Sequence, residues 1–376
     1  MRENVYQRLA KHLSSLGMGY PEKEELLEIL RENFTPLEAE VALAIPTKVI
    51  PFEPVPVGEI VPLSHPSEEA LEQILSNLAQ RGLLFSKKLK NGKVGYALQQ
   101  FGYGFPQTFF WRGVHTPNAK KMAELISKYS RKEQIEEAYG KTQTKAFRYV
   151  PASLSLEPES HAVFPFEMME EVIRRVKVIA LVHCPCRATA QLIGKKRCDH
   201  PLENCIKYDD LAEYLIEKRI GREITKQEAL DVIRKSEEAG LVHLVDNARE
   251  GIKHTCNCCG CCCWSVGTIR RKKISRDMLM ATYFLRETDQ ERCTGCGRCV
   301  DICPVQVIRM EGDFPVIDQE WCIGCGVCAI PCLSSAVKLV RKSHAIPPKD
   351  FRELHEQILK ERKTARRDSS SLRSSE

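Results

Sequence analysis

All 18 cysteines of this 376-residue chain lie between Cys184 and Cys332. Six of them, Cys256, Cys258, Cys259, Cys261, Cys262 and Cys263, crowd into the stretch "CNCCGCCCW" at 256–264. Exposed to oxidant, such a run scrambles into mixed disulfides, so it makes sense where thiols stay reduced or where a metal claims them. A disulfide scaffold is short, secreted and evenly stapled. This chain is long and opens on "MRENVYQRLAKHLSS", which has no signal-peptide pattern. Its apolar runs, such as "VIALV" at 178–182, fall far short of the ~20 residues of a membrane span. A cytoplasmic protein without a membrane span is expected.

Two of the cysteine runs share one pattern, CxxCxxCxxxC: "CTGCGRCVDICP" from Cys293 and "CIGCGVCAIPC" from Cys322. Three thiolates at this spacing reach three corners of an iron–sulfur cube, and the turn that follows carries the fourth away. In such runs the fourth cysteine serves the other cluster. Cys293, Cys296, Cys299 and Cys332 are thereby assigned to one [4Fe-4S] cluster, and Cys322, Cys325, Cys328 and Cys303 to a second. Glycines at 295, 297, 324 and 326 leave room for backbone amides to approach sulfide. On these motifs residues 275–342 resemble a bacterial-type two-cluster ferredoxin domain. Pro304 follows Cys303 as that family's pattern asks, whereas the second run has Pro331 before Cys332 and Leu333 after it. Zinc is the competing metal for four-cysteine sites, but its motifs present paired cysteines.

Ten further cysteines precede this domain: Cys184 and Cys186 in "HCPCR", then Cys198 and Cys205, then the six of the crowded run. Their order resembles a poorly characterised architecture of iron–sulfur proteins from anaerobes, in which HCPCR, two spaced cysteines and CNCCxCCC precede a two-cluster ferredoxin. That resemblance covers residues 164–342 and implies electron transfer without naming a substrate. Adjacent cysteine side chains diverge, so the crowded run cannot aim every sulfur at one small core. Ten thiolates suffice for two more cubanes with two to spare, or for a cubane and a noncubane cluster. An additional iron–sulfur cluster is the expectation, with zinc or a reactive thiol site as alternatives. Arg187, Lys195–Arg197 and the "RRKK" run at 270–273 place cations nearby; they either stabilise reduced clusters or form an ordinary solvated face. His183, His200 and His254 lie near cysteines, but plentiful thiolate makes them unnecessary as ligands.

The cysteine-free first third reads as helices. Thr35, Pro36 and Glu38 spell an N-cap, a first-turn proline and a capping box, and Pro46 closes that helix. A short helix near 58–61 and a longer one in "SEEALEQILSNLAQRG" follow, then two strand-like segments around Asn91-Gly92. This order, over residues 36–101, resembles a winged-helix domain. Glu68, Glu69 and Glu72 at the start of the candidate recognition helix would face phosphates, which disfavours DNA, although Lys87, Lys88, Lys90 and Lys93 sit on the hairpin. The cluster "FGYGFPQTFFW" at 101–111 reads as core filling between domains.

The expected fold class is α+β and multidomain: a mostly helical, winged-helix-like region at 1–111, a helical linker at 112–163 with a proline-marked boundary, and a central α/β cysteine-rich domain at 164–274. The two-cluster ferredoxin domain at 275–342 follows, then a helix and disordered basic tail at 343–376. No nucleotide-binding glycine loop, hydrolase triad or metalloprotease helix is present, so no catalytic residue is assigned. The expected function is electron transfer with a partner oxidoreductase or complex. A redox-responsive winged-helix DNA-binding regulator and a reductase with a catalytic central cluster are the alternatives.

Overall fold

Thr35 accepts a hydrogen bond from the Glu38 amide while Glu38 reaches back to the Thr35 amide, so the helix Pro36–Ala44 begins where the capping box places it. It stops at Ile45, the residue before Pro46, which is extended as a pre-proline position prefers. The computed structural model describes residues 3–48, 50–130, 132–140, 142–155, 168–271, 273–342 and 345–373. The proline boundary expected at Pro158 and Pro165, and Lys272 of the basic run, lie outside these residues.

After that helix come a short strand Val55–Pro56, a 3-10 turn Val57–Glu59, the helix Glu68–Gln80 capped by Ser67, and the hairpin Leu84–Lys88 with Val94–Leu98. Strand Val94–Leu98 lies between the other two, and both pairings are antiparallel. Gly92 takes φ +81° in the hairpin turn, a left-handed conformation that suits glycine. Leu71, Leu75 and Leu78 bury one face of the long helix against this sheet and its neighbours.

The central unit is built on a seven-stranded sheet in the order Met280–Ala281, Phe147–Val150, Val242–Asp246, His254–Cys258, Glu203–Tyr208, Ile179–His183, Arg222–Glu223. Every pairing is antiparallel except the first, which is parallel. The α/β expectation is corrected accordingly, because the helices between strands lead back into antiparallel ladders rather than crossing over to parallel neighbours. Two strands come from outside the expected 164–274 range. The segment read as a helical linker holds helices Pro117–Tyr129 and Lys132–Tyr139 but also supplies strand Phe147–Val150.

The ferredoxin-type region consists of an antiparallel pair of its first and last strands, Phe284–Thr288 with Val337–Arg341, a hairpin Ile308–Glu311 with Phe314–Ile317, and two short helical turns, Arg298–Ile302 and Val327–Ala329. The last helix runs from Phe351 to Arg373, beyond the break expected near Lys363. Its Phe351, Leu354 and Ile358 are buried, worth roughly 1.5–3 kcal/mol each. Phe351 stacks on Phe52 and meets Tyr103 edge-on, so the aromatic cluster at 101–111 is core between units.

The N-terminal and central units are joined by directed hydrogen bonds. The Tyr214 hydroxyl lies between two carbonyls, 3.0 Å from Ala79 O and 2.8 Å from Leu84 O, and Arg112 Nη2 donates to Gln80 O and Lys218 O. Tyr214→Phe is expected to remove about 1 kcal/mol of stability and to speed proteolysis between the two units. Unchanged melting and proteolysis would show that the hydroxyl does not tie them together.

Candidate metal centres

The two cysteine runs each wrap a cavity, and the fourth member of each crosses over. Cys293, Cys296 and Cys299 line one cavity together with Cys332. Cys322, Cys325 and Cys328 line the second together with Cys303. The crossing follows from local structure: the helical turn Arg298–Ile302 starts at Gly297 and delivers Cys303 at its far end. Glycine is required at 324, where φ is +60° and a Cβ would stand 2.0 Å from the Phe284 carbonyl oxygen. Four thiols per cavity and this space-limited backbone fit a cubane. The first cavity is the outer one, with Cys296 exposed, whereas all four thiols of the second are buried. Burial pushes Cys325 well above the ordinary thiol range and Cys328 up to about 12.

Between the cavities lies Arg286, on the inward face of strand Phe284–Thr288 and 1% exposed. It lines both cavities, and none of its three side-chain nitrogens has a hydrogen-bond partner among the described residues. An unpaired buried guanidinium is costly. Anionic cores on either side would supply its partners.

The ten earlier cysteines divide into two groups. Cys198, Cys259, Cys261 and Cys262 bring their sulfurs within 4.8 Å of one another. Within that group Cys262 Sγ lies 3.8 Å from Cys198 Sγ and 3.6 Å from Cys261 Sγ. A hydrogen bond from Cys262 lowers Cys259 to about 5, while burial and the Cys198 contact push Cys261 up to about 12.

The remaining six thiols adjoin one another in turn: Cys186 neighbours Cys184 and Cys263, Cys205 neighbours Cys184 and Cys256, and Cys258 neighbours Cys256 and Cys263. The pleat explains three members. Cys256 and Cys258 are two apart on strand His254–Cys258 and share a face, and the pairing of Ile206 with Thr255 sets Cys205 opposite Cys256. Cys184 and Cys186 stand where strand Ile179–His183 turns into helix Pro185–Leu192, and Cys263 precedes helix Val266–Arg270. Contacts with neighbouring thiols hold Cys256 and Cys263 well below the ordinary thiol range and push Cys186 and Cys258 well above it.

Buried side chains link these groups. Arg187 is fully buried and lies in the field of Cys184, Cys205 and Cys259; Asn257 O and Asn204 Oδ1 hold its fork. Lys207, also buried, sits beside Cys205 and Cys256, its Nζ 4.6 Å from the Trp111 ring centroid. Tyr149 is buried with a hydroxyl that has no partner among the described residues, and it lies in the field of Cys263, Cys258 and Cys325. At Gly260 a Cβ would stand 1.9 Å from Pro304 O, so the crowded run presses directly on the loop that carries Cys303. The Ala152 amide donates to Cys325 O at 3.0 Å across the same seam.

His254 pairs with Asp246 at 3.1 Å, and the His183 ring packs where a Gly113 side chain would be. His200 lies in the field of Cys259, whose group is complete without it. Sequence reasoning missed Arg286 and Tyr149. Their only local signal is position on the inward side of a strand.

The 4Fe-4S binding domain family matches residues 287–309, which span the first run through Cys303. Over 49 residues the chain is 45% identical to a subunit of the ion-translocating oxidoreductase complex of Methanosarcina acetivorans. That match covers 12% of this chain and 19% of that protein, so the chain spans about a fifth of the curated relative's length. No solved structure matches the chain. The C-terminal region therefore carries a ferredoxin-type 4Fe-4S domain.

Gly260→Ala is expected to destabilise the protein by about 1–3 kcal/mol, because the added carbon meets a backbone carbonyl that cannot swing aside. Differential scanning calorimetry checks this; an unchanged Tm would mean the seam between crowded run and ferredoxin-type region is loose.

Proposed function

We propose that this chain is an iron–sulfur electron carrier with two [4Fe-4S] clusters in the crossed cavities and a further cluster on Cys198, Cys259, Cys261 and Cys262, exchanging electrons with a partner oxidoreductase or complex. Such clusters supply one-electron redox chemistry. The observation that carries the reading is the crossing: each cavity gathers three thiols from one run and the fourth from the other. The match to a 4Fe-4S binding domain and to one component of an oxidoreductase complex supports it. The exposed Cys296 side is where a redox partner approaches, and the buried cavity faces the central cysteines through Tyr149 and the contact of Gly260 with Pro304. A chain with this many free thiols is suited to a reducing compartment, and the cytoplasm is the proposed location. Among the described residues no helix is long and apolar enough to cross a membrane.

The N-terminal region is proposed as a winged-helix-like docking module. Its hairpin Lys87 is paired with Asp210 at 2.9 Å and its helix exposes Glu68, Glu69 and Glu72, which disfavours phosphate contact.

A second reading, a reductase acting at a central centre, is favoured by one feature. A mainly apolar chamber lined by Phe101, Tyr139, Phe147 and Trp264 opens onto Cys186, Cys256, Cys258 and Cys263. Carbon monoxide or cyanide added to reduced protein should then alter the electron paramagnetic resonance of one centre; spectra indifferent to both would remove this reading.

The carrier reading is tested by anaerobic redox titration followed by the same spectroscopy. Two interacting one-electron centres are expected from the ferredoxin-type region. Arg286→Met should lower both potentials by on the order of 100 mV, from about 1.5–3 kcal/mol for a charged hydrogen bond at about 59 mV per 1.4 kcal/mol. No reducible paramagnetic centre, or zinc in place of iron, would overturn the proposal.

A further inference from the structure

We infer that Cys184, Cys186, Cys205, Cys256, Cys258 and Cys263 together hold one polynuclear iron–sulfur core, larger or more open than a cubane and separate from the core on Cys198, Cys259, Cys261 and Cys262. This rests on the iron–sulfur reading above and goes beyond it by assigning a fourth centre.

The partition follows from placement: Cys186, Cys256, Cys258 and Cys263 line one chamber, the strand register sets Cys205 opposite Cys256, and Cys184 stands at the end of the neighbouring strand. Sequence neighbours Cys258 and Cys259, and again Cys262 and Cys263, are split between the two groups, as diverging adjacent side chains require. The six sulfurs close into a ring whose members come from two neighbouring strands, a strand end, a helix first turn and a helix entry. All six are buried or half-buried.

The number of sulfurs narrows the class of metal centre; a dinuclear zinc site with bridging thiolates also takes six, and metal analysis separates it from iron. A cubane has four irons, each with one external position, and a structural zinc takes four ligands. Six converging thiols exceed both. They suit a core of more than four irons, or an open core in which some thiolates bridge metals.

Charge and polar placement fit the same class. Two buried cations, Lys207 and Arg187, flank the ring, and iron supplies the remaining positive charge that six thiolates need. The buried Tyr149 hydroxyl, unpartnered among the described residues, lies by Cys258 and Cys263 and is free to donate to a core sulfur. The Arg187 Nε is likewise buried without a partner among the described residues. The mainly apolar chamber meets four of the six thiols.

The test uses full-length protein purified without oxygen, as wild type, Cys258→Ser and Cys261→Ser, with iron and sulfide analysis and Mössbauer spectroscopy. Wild type should carry more than about 12 irons per chain, the content of three cubanes. Cys258→Ser should lose the excess iron and one distinct spectral component while the ferredoxin-type signals persist; Cys261→Ser should keep that component and lose a cubane. Native alkylation followed by peptide mapping is the second measurement and needs no variant. The six thiols should be protected together and become reactive together on chelation. About 12 irons or fewer with these six thiols alkylated, disulfide-bonded or bound to zinc would overturn the inference while leaving the ferredoxin-type centres standing. Loss of the ferredoxin-type signals from wild type would instead sink the underlying carrier reading.

Discussion

Buried thiolate has to be matched by positive charge where it sits, and this interior is organised around that requirement. Eighteen sulfurs fall into four groups, and a buried arginine stands between the members of each pair. Arg286 adjoins both ferredoxin-type cavities; Arg187 adjoins the four-thiol group and the six-thiol ring. Burying a guanidinium without an anionic neighbour is costly. The same side chains that would be costly beside neutral thiols become favourable beside anionic cores.

Three of the groups adjoin in order, the outer cavity, the buried cavity and the six-thiol group, while the Cys198 group is half-exposed except at Cys259. The outer cavity, with Cys296 exposed, shares Arg286 with the buried one. The buried cavity meets the ring through Tyr149, and the crowded run through Gly260 against Pro304. Under the proposed reading these adjacent groups would form a relay, with a packed seam holding their spacing fixed. The N-terminal helices and the last helix close the structure around the aromatic cluster, with Phe351 and His355 against Tyr103.

Much of this was legible in the sequence. Capping residues and the Asn91-Gly92 turn placed the N-terminal elements, because those signals are local. The spacing of the cysteine runs anticipated the crossed cavities, because a fixed helical turn separates third from fourth cysteine. The division of the crowded run was not legible: it depends on the register of strand His254–Cys258 against strand Glu203–Tyr208, which lies far earlier in the chain. Strand Phe147–Val150 escaped for the same reason, since its partners Asp246 and Met280 are remote. Arg286 gave no sign in a list of charges, because only the pleat reveals that it points inward.

The central claim is that the two late cysteine runs share their sulfurs across a pair of iron–sulfur clusters. The most direct measurement is an anomalous difference map at the iron edge from crystals grown without oxygen. The account predicts iron within the cavity of Cys293, Cys296, Cys299 and Cys332 and within that of Cys322, Cys325, Cys328 and Cys303. Iron gripped by the four cysteines of a single run, or no iron in either cavity, would contradict it.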